Sequence, residues 1–346
     1  MPTPQENSLF VEQASCLFLR GRMPTPQENS LFVEQASCLL LRNVQDVSNN
    51  QQPKIMFLVT GATGALGRRI VREIRQQEKP VRAFVRLASR YSELENRGAE
   101  IFIGDLKQDK DIKKACQGVQ YIISSHGTGG DVQAVHYRAN IELIDCAKEA
   151  GVQHFVFLSV LGVDRGYEDS AVFKAKREVE KYLQNSGLNY TILRPAGFAS
   201  SLLPLAERFR ETGLYLLIGD GKNRTSVVST DDLAKIAADS PTVEGARNQI
   251  LRVGGPDVLT RDDIPRIFGR LFNREPIVIN PPLVVFDGLR NALGLLNPQA
   301  KKDLGTLRVL LGNEYFCTPE QVQNLESIYG MRMESLESFM RRYLSV

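Results

Sequence analysis

The chain has no apolar run near the ~20 residues that a membrane-crossing helix needs, so no transmembrane segment is expected. Histidine is scarce: His126, His136 and His154 stand without metal-ligand spacing, and no metal is expected. The five cysteines include no CxxC motif and no closely spaced pair. That usage suits free thiols in a reducing compartment. Charge of one sign is also lacking. The net charge is only +3 over 346 residues, and lysine and arginine are scattered rather than striped, which excludes nucleic acid as an expected partner.

What is present is ordinary globular material, with 42% hydrophobic and 24% charged residues. Its length suits one large domain or a domain with an appended lobe. The first oddity is a repeat. Residues 1–20 and 23–42 match except for Phe18 against Leu40, so Cys16 and Cys38 are copies of each other. Two short copies make no solenoid. They read as a local duplication, with Met23 as an alternative start. The charged n-region and long apolar core of a signal peptide are missing, and the acidic residues argue against a transit peptide. Residues 1–52 are expected to form a flexible polar extension that ends in the linker NVQDVSNNQQPK.

The stretch KIMFLVTGATGALGRRIVREI then joins an apolar strand to an amphipathic helix through Gly61, Gly64 and Gly67. Such a turn brings backbone N–H groups and a helix N-terminus against a pyrophosphate. Thr60, Gly61, Thr63, Gly64, Ala65, Leu66 and Gly67 are therefore candidate cofactor contacts. Past the next strand, PVRAFVR, the position that carries an acidic residue in NAD sites is Arg86, and Arg68 follows Gly67 directly. A guanidinium suits a 2′-phosphate, so NADP(H) is expected over NAD(H). The bland alternative is that both arginines are solvated surface charges.

Further strands follow in AEIFIGDL, VQYIISS, HFVFLSVLGV and NYTILRP. They bring Asp105 and Leu106, Ser124 and Ser125, Ser159, and Pro195 to strand ends, with helical segments such as 132–150 between them. This alternation predicts an α/β fold, a Rossmann-type doubly wound parallel sheet, with ligands outside the carboxyl ends of the strands. The expected domains are 53–198 for cofactor binding and 199–346 for a smaller, mostly helical substrate lobe partly interleaved with the first. VVFDGLRNALGLLNPQAKK and LESIYGMRMESLESFMRRYL read as amphipathic helices of that lobe.

Together VTGATGALGRR, AEIFIGDL, FVFLSVLGV, AKREVEKYLQNSGLNYTILRP and GDGKNRTSVVSTDDLA resemble the atypical short-chain dehydrogenase/reductase superfamily in its NmrA-like branch. The segment from RVGGPDVLT onward is similar to divinyl chlorophyllide reductases and related proteins. The resemblance implies a Tyr-x-x-x-Lys pair working with a serine. The family pattern, with a Glu four residues after the Lys, selects Lys176 and Glu180 over Lys174. Ser159 matches the catalytic serine, or else is a strand-end hydroxyl bonded to backbone. The tyrosine position holds Val172, and Tyr167 in the preceding loop is a weak substitute. The resemblance lays Pro195, Ala196, Gly197 and Phe198 against the nicotinamide, and makes GDGKNRTSVVSTDDLA a hairpin followed by a helix that Asp231 or Asp232 caps.

Two functions remain open at this point. One is an NADPH-dependent reductase of a small or medium apolar substrate, a conjugated C=C or a carbonyl, with Ser159 and Lys176 as catalytic residues. The other is a non-catalytic NAD(P)-binding redox sensor or complex-assembly factor with a protein partner. An epimerase or dehydratase is disfavoured by Val172 and Arg86. The expected location is the cytoplasm or the plastid stroma.

Overall fold

The computed structural model describes residues 56–127, 131–167 and 169–345, apart from the side chains of residues 298–300, 302 and 303. The duplicated extension lies outside the described residues. Residues 55–346 form one compact unit.

Strands β1 (Phe57–Thr60), β2 (Val81–Val85), β3 (Glu100–Ile103), β4 (Tyr121–Ser124), β5 (His154–Leu158) and β6 (Tyr190–Pro195) alternate with helices α1 (Ala65–Gln76), α2 (Ser92–Asn96), α3 (Asp109–Cys116), α4 (Ala139–Glu149) and α5 (Ala171–Gln184). A π-helical turn, Gln133–Arg138, leads directly into α4. The rest of the chain adds α6 (Leu203–Thr212), β7 (Leu214–Leu216), β8 (Arg224–Thr225), α7 (Thr230–Asp239), β9 (Gln249–Val253), β10 (Leu259–Thr260), α8 (Asp263–Phe272), β11 (Ile277–Ile279) and four helices, α9 (Leu283–Leu296), α10 (Pro298–Gly312), α11 (Pro319–Tyr329) and α12 (Leu336–Leu344).

The sheet has the order β3-β2-β1-β4-β5-β6-β9 and every pairing in it is parallel. Its direction of growth reverses between β1 and β4, the crevice where ligands of such sheets bind. The period of two along each strand divides the core. Phe57 and Val59 pack with Ile70 and Ile74 of α1 and Leu233 of α7, while Leu58 packs with Ile112 of α3 and Leu143 of α4. A third core, around Phe209, Phe268 and Phe339, belongs to the lobe.

The seventh strand, QILRV, comes from the segment 199–346 and joins the sheet beside β6. Gln249 and Arg252 are exposed on this edge strand, so it lacks the continuous apolar run of its buried neighbours. The expected hairpin is absent: β8 pairs antiparallel with β10, more than thirty residues on. The cap of α7 is also different. Ser229 is the N-cap and accepts from the Asp232 N–H, while Asp231 clamps α7 to α1 through Arg69 at 2.9 Å and Arg72 at 2.8 Å. Each of the two expected C-terminal helical stretches is divided, at Asn297 and after Tyr329.

Candidate active site

The glycine turn is built by close approach. Gly61 has φ +71, and a Cβ there would lie 2.7 Å from the His126 backbone nitrogen. A Cβ on Gly67 would lie 2.1 Å from the Gly61 carbonyl oxygen, so only glycine lets α1 start against the turn. Gly64 and Ala65 face solvent, Leu66 is buried in the core, and the first turn of α1 has neither a side-chain cap nor an acidic residue. Its orphan N–H groups and positive dipole end are therefore open to an anion. The residues fit the pyrophosphate of a dinucleotide.

The two arginines part company. Arg68 is committed: its guanidinium donates to the Thr63 carbonyl at 3.0 Å and to Glu93 at 3.1 Å, pinning the loop after β2. Arg86 is exposed at the carboxyl end of β2 with no side-chain partner among the described residues. Arg90, exposed in the same loop, escaped the sequence reading because it lies beyond the strand end where that residue is sought. Asp105 and Leu106 follow β3; Asp105 Oδ1 accepts from the Lys107 N–H at 2.9 Å and shapes that turn.

Behind the turn lies a buried polar network. Thr60 Oγ1 meets His126 Nδ1 at 2.7 Å, Ser124 Oγ donates to Asn140 Oδ1 at 2.6 Å, and Asn140 Nδ2 donates to the His136 carbonyl at 2.9 Å. Ser125 Oγ donates to the Thr60 carbonyl at 2.7 Å. Thr60 and Ser124 are thus second-layer supports of the crevice, fully enclosed, rather than open ligands. Burial and the nearby Lys176 charge keep His126 and His136 neutral, with pKa values pushed down to about 3 and about 4.

Lys176 sits on α5, one turn after Val172, and its Nζ donates to the Leu158 carbonyl at the end of β5 and lies 5.0 Å from the Phe157 ring centroid. Burial lowers its pKa to about 8, against the opposing pull of Glu180. Lys176 and Glu180, one turn apart on α5, do not pair. Glu180 is 0% exposed and accepts twice from Arg194, at 2.9 and 2.6 Å. Lys174 is exposed. Ser159 follows β5, and its buried Oγ has no hydrogen-bond partner among the described residues, nor has His136 Nδ1 beneath Gly127. Ser159 is therefore not spent on the backbone bond of the bland reading. Buried orphans are rare, and here two of them flank the crevice that would take the ligand.

Pro195 ends β6, and Ala196, Gly197 and Phe198 line the way out of the sheet; a Cβ on Gly197 would meet nothing within 4 Å. Ala196 also borders an apolar cavity of about 300 Å³ in the lobe. Tyr167 packs edge-on to Phe173 with ring centroids 5.4 Å apart. Tyr315, absent from the sequence reading, joins them at 6.3 Å from Phe173 and reaches the cavity wall.

A family model described as NAD(P)H-binding matches residues 61–242, from the glycine turn to the end of α7. The chain belongs to the NAD(P)H-binding family. It is 34% identical to the NAD(P)H azoreductase of Xenophilus azovorans over 60% of this chain and 71% of that one. It is 33% identical to the chloroplastic divinyl chlorophyllide a 8-vinyl-reductase of Oryza sativa over 70% of this chain and 64% of that one. The photosystem II assembly factor Ycf39 of Cyanophora paradoxa is 27% identical over 84% and 92%. Among solved structures, the NADPH complex of an Escherichia coli NADPH-dependent quinone oxidoreductase superposes with TM-score 0.66 at 21% identity, covering 84% of this chain and all of that one. That neighbour shares this fold. Members of the family thus include reductases and an assembly factor.

Proposed function

We propose that the protein is an NADPH-dependent reductase of a small or medium apolar substrate, either a conjugated double bond or a carbonyl. The observation that carries this reading is Lys176: an amine brought to about pKa 8 by burial, at the open end of β5. A proton donor works best with a pKa near the working pH, and Lys176 meets that need where Val172 cannot.

In this reading the N–H groups of the turn from Gly61 to Gly67, with Thr63, hold the pyrophosphate. Arg86, joined by Arg90, takes the 2′-phosphate and favours NADP(H), while Arg68 fixes their loop. Asp105 and Leu106 flank the adenine. Ser125 faces the ribose, and Pro195 to Phe198 back the nicotinamide. NADPH, when bound, supplies the hydride. Lys176 holds the ribose and gives a proton to the substrate atom that gains the electron pair. Ser159 Oγ, without a partner among the described residues, orients that atom. The reductase names among the relatives support this reading. So do the chloroplastic names for a stromal setting, with the cytoplasm as the other choice. No helix among the described residues is long and apolar enough to cross a membrane.

A second reading, a non-catalytic assembly factor, is favoured by one observation. Helix α9 shows Leu295 and Leu296 at 88% and 87% exposure, an apolar face suited to a protein partner, as the likeness to Ycf39 also suggests. One experiment separates the two: NADPH oxidation against enones, azo dyes and quinones, in the native protein and in Lys176→Met. The expected result is turnover that falls roughly 100-fold or more in the variant, the usual size of an acid–base contribution. Tight NADPH binding with no oxidation in the native protein would reject the reductase and leave the assembly role.

A further inference from the structure

The lobe cavity has one feature that an apolar pocket does not need. Its wall includes Ala196, Leu217, Val227 and Ile264, and among them stand Tyr215 and Arg261. Arg261 pairs with no carboxylate among the described residues. Its Nη1 donates to the carbonyls of Leu311 at 2.5 Å and Ile218 at 3.5 Å, and its Nη2 to that of Leu310. Two of these acceptors are orphan carbonyls of the last turn of α10, and the Asp220 carboxylate acts on Arg261 from a distance without bonding it. The other arginine on the wall, Arg224, is bidentate with Glu314. Tyr215 is 8% exposed, and its hydroxyl has no hydrogen-bond partner among the described residues.

A cation and a phenol held in an apolar cavity with no carboxylate bonded to either among the described residues is costly unless something else completes the site. Burial depresses the Arg261 pKa, the sign of a charge short of compensation. We infer that this cavity binds an amphiphilic carboxylate, with its apolar body on Ala196, Leu217, Val227 and Ile264 and its carboxylate on Arg261 and Tyr215. The two side chains offer charge-assisted donors from two directions, which is how a small number of polar groups orients a ligand in an apolar pocket. A cavity of about 300 Å³ suits a medium-chain acid or a mono- or bicyclic aromatic acid. This inference rests on the reductase reading, since Ala196 joins the cavity to the nicotinamide side, and it narrows the substrate class of that reading.

The test is binding of decanoate, decanol and decylamine to the full chain, by calorimetry, with and without NADPH. Decanoate is expected to bind about tenfold or more tightly than decanol, with no binding of decylamine. Because Arg261 also caps α10, its removal could cost the fold, so the deciding variant is Leu205→Glu. Leu205 is 43% exposed on the cavity wall, and a carboxylate there repels decanoate by about tenfold while leaving decanol unchanged. Equal binding of decanoate and decanol, or decanoate binding that ignores Leu205→Glu, overturns the inference. The reductase reading fails separately. NADPH oxidation by neutral quinones with no preference for acids sinks only the carboxylate site. Decanoate binding with no turnover of any acceptor sinks only the reductase.

Discussion

The nucleotide half and the C-terminal lobe solve different problems with the same kinds of residue. In the first, glycine is present because a backbone atom occupies the space of its Cβ, as at Gly67. In the second, Gly288 of α9 has nothing within 4 Å of that position. In the first, apolar side chains are enclosed on both faces of the sheet; in the second, β11 is exposed along its whole length. All three histidines are buried in the nucleotide half, two of them in the polar network behind the glycine turn. One region is closely packed around the turn where the NAD(P)H-binding family model begins. The other leaves surface that can be altered without disturbing the sheet, which is where substrates and partners are chosen.

The largest effect that sharpens this contrast is Gly67→Ala. Its new methyl would sit 2.1 Å from the Gly61 oxygen and 2.8 Å from the Ala62 Cα, both backbone atoms that cannot step aside. Loss of about 3 kcal/mol or more is expected, or no folded protein at all. Gly197→Ala, with nothing within 4 Å, is the control and should leave the urea midpoint almost unchanged. Equal midpoints for the two would remove close approach as the reason for the glycine turn.

That turn was legible in the sequence because its cause is local: strand, glycines and helix adjoin in the chain. The five inner strands were legible because a strand buried on both faces is a largely apolar run. What escaped depends on distant partners. The i, i+4 rule pairs Lys176 with Glu180, yet Arg194, on the neighbouring strand, takes the carboxylate and leaves the lysine to β5. Arg68 reads as a phosphate ligand until Glu93 is found beside it. Arg261 and Tyr215 carried no signal, since nothing in their local sequence shows that they meet across a cavity.

A medium effect follows from the histidines. His126, His136 and His154 are buried, and desolvation lowers their pKa values from 6.5 to about 3, about 4 and about 4. The unfolded chain therefore binds more protons than the folded one as pH falls below 6.5. Stability is full above that pH and is lost as pH drops towards about 4. Asp232 works the other way: burial raises its pKa to about 6, so it protonates more readily in the fold and offsets part of the loss. From about pH 7 to about pH 6 the net loss should be roughly 1–2 kcal/mol. Urea midpoints measure it, and hydrogen exchange should show β1, β4 and β5 losing protection before the lobe helices. A midpoint that rises on acidification would mean these imidazoles are charged in the fold, and the contrast between the halves would lose its electrostatic part.

The smallest effect has the opposite sign. Gly288 lies in the exposed interior of α9, where the added methyl of Gly288→Ala meets nothing within 4 Å. The substitution removes backbone freedom from the unfolded chain and costs nothing in the helix, so a gain of about 0.5–1 kcal/mol is expected. Gly294, in the same helix, provides the check. Its Cβ would lie 2.8 Å from the Lys301 side chain, which must move, so its alanine variant should gain less. If Gly288→Ala instead destabilised, the face of α9 would have to be occupied by something in solution, and a fall in midpoint that grows with protein concentration would point to a second copy of the chain. Glycine to alanine is one chemical change. Its sign in each half depends on what stands where the methyl goes: backbone at Gly67, open space at Gly288.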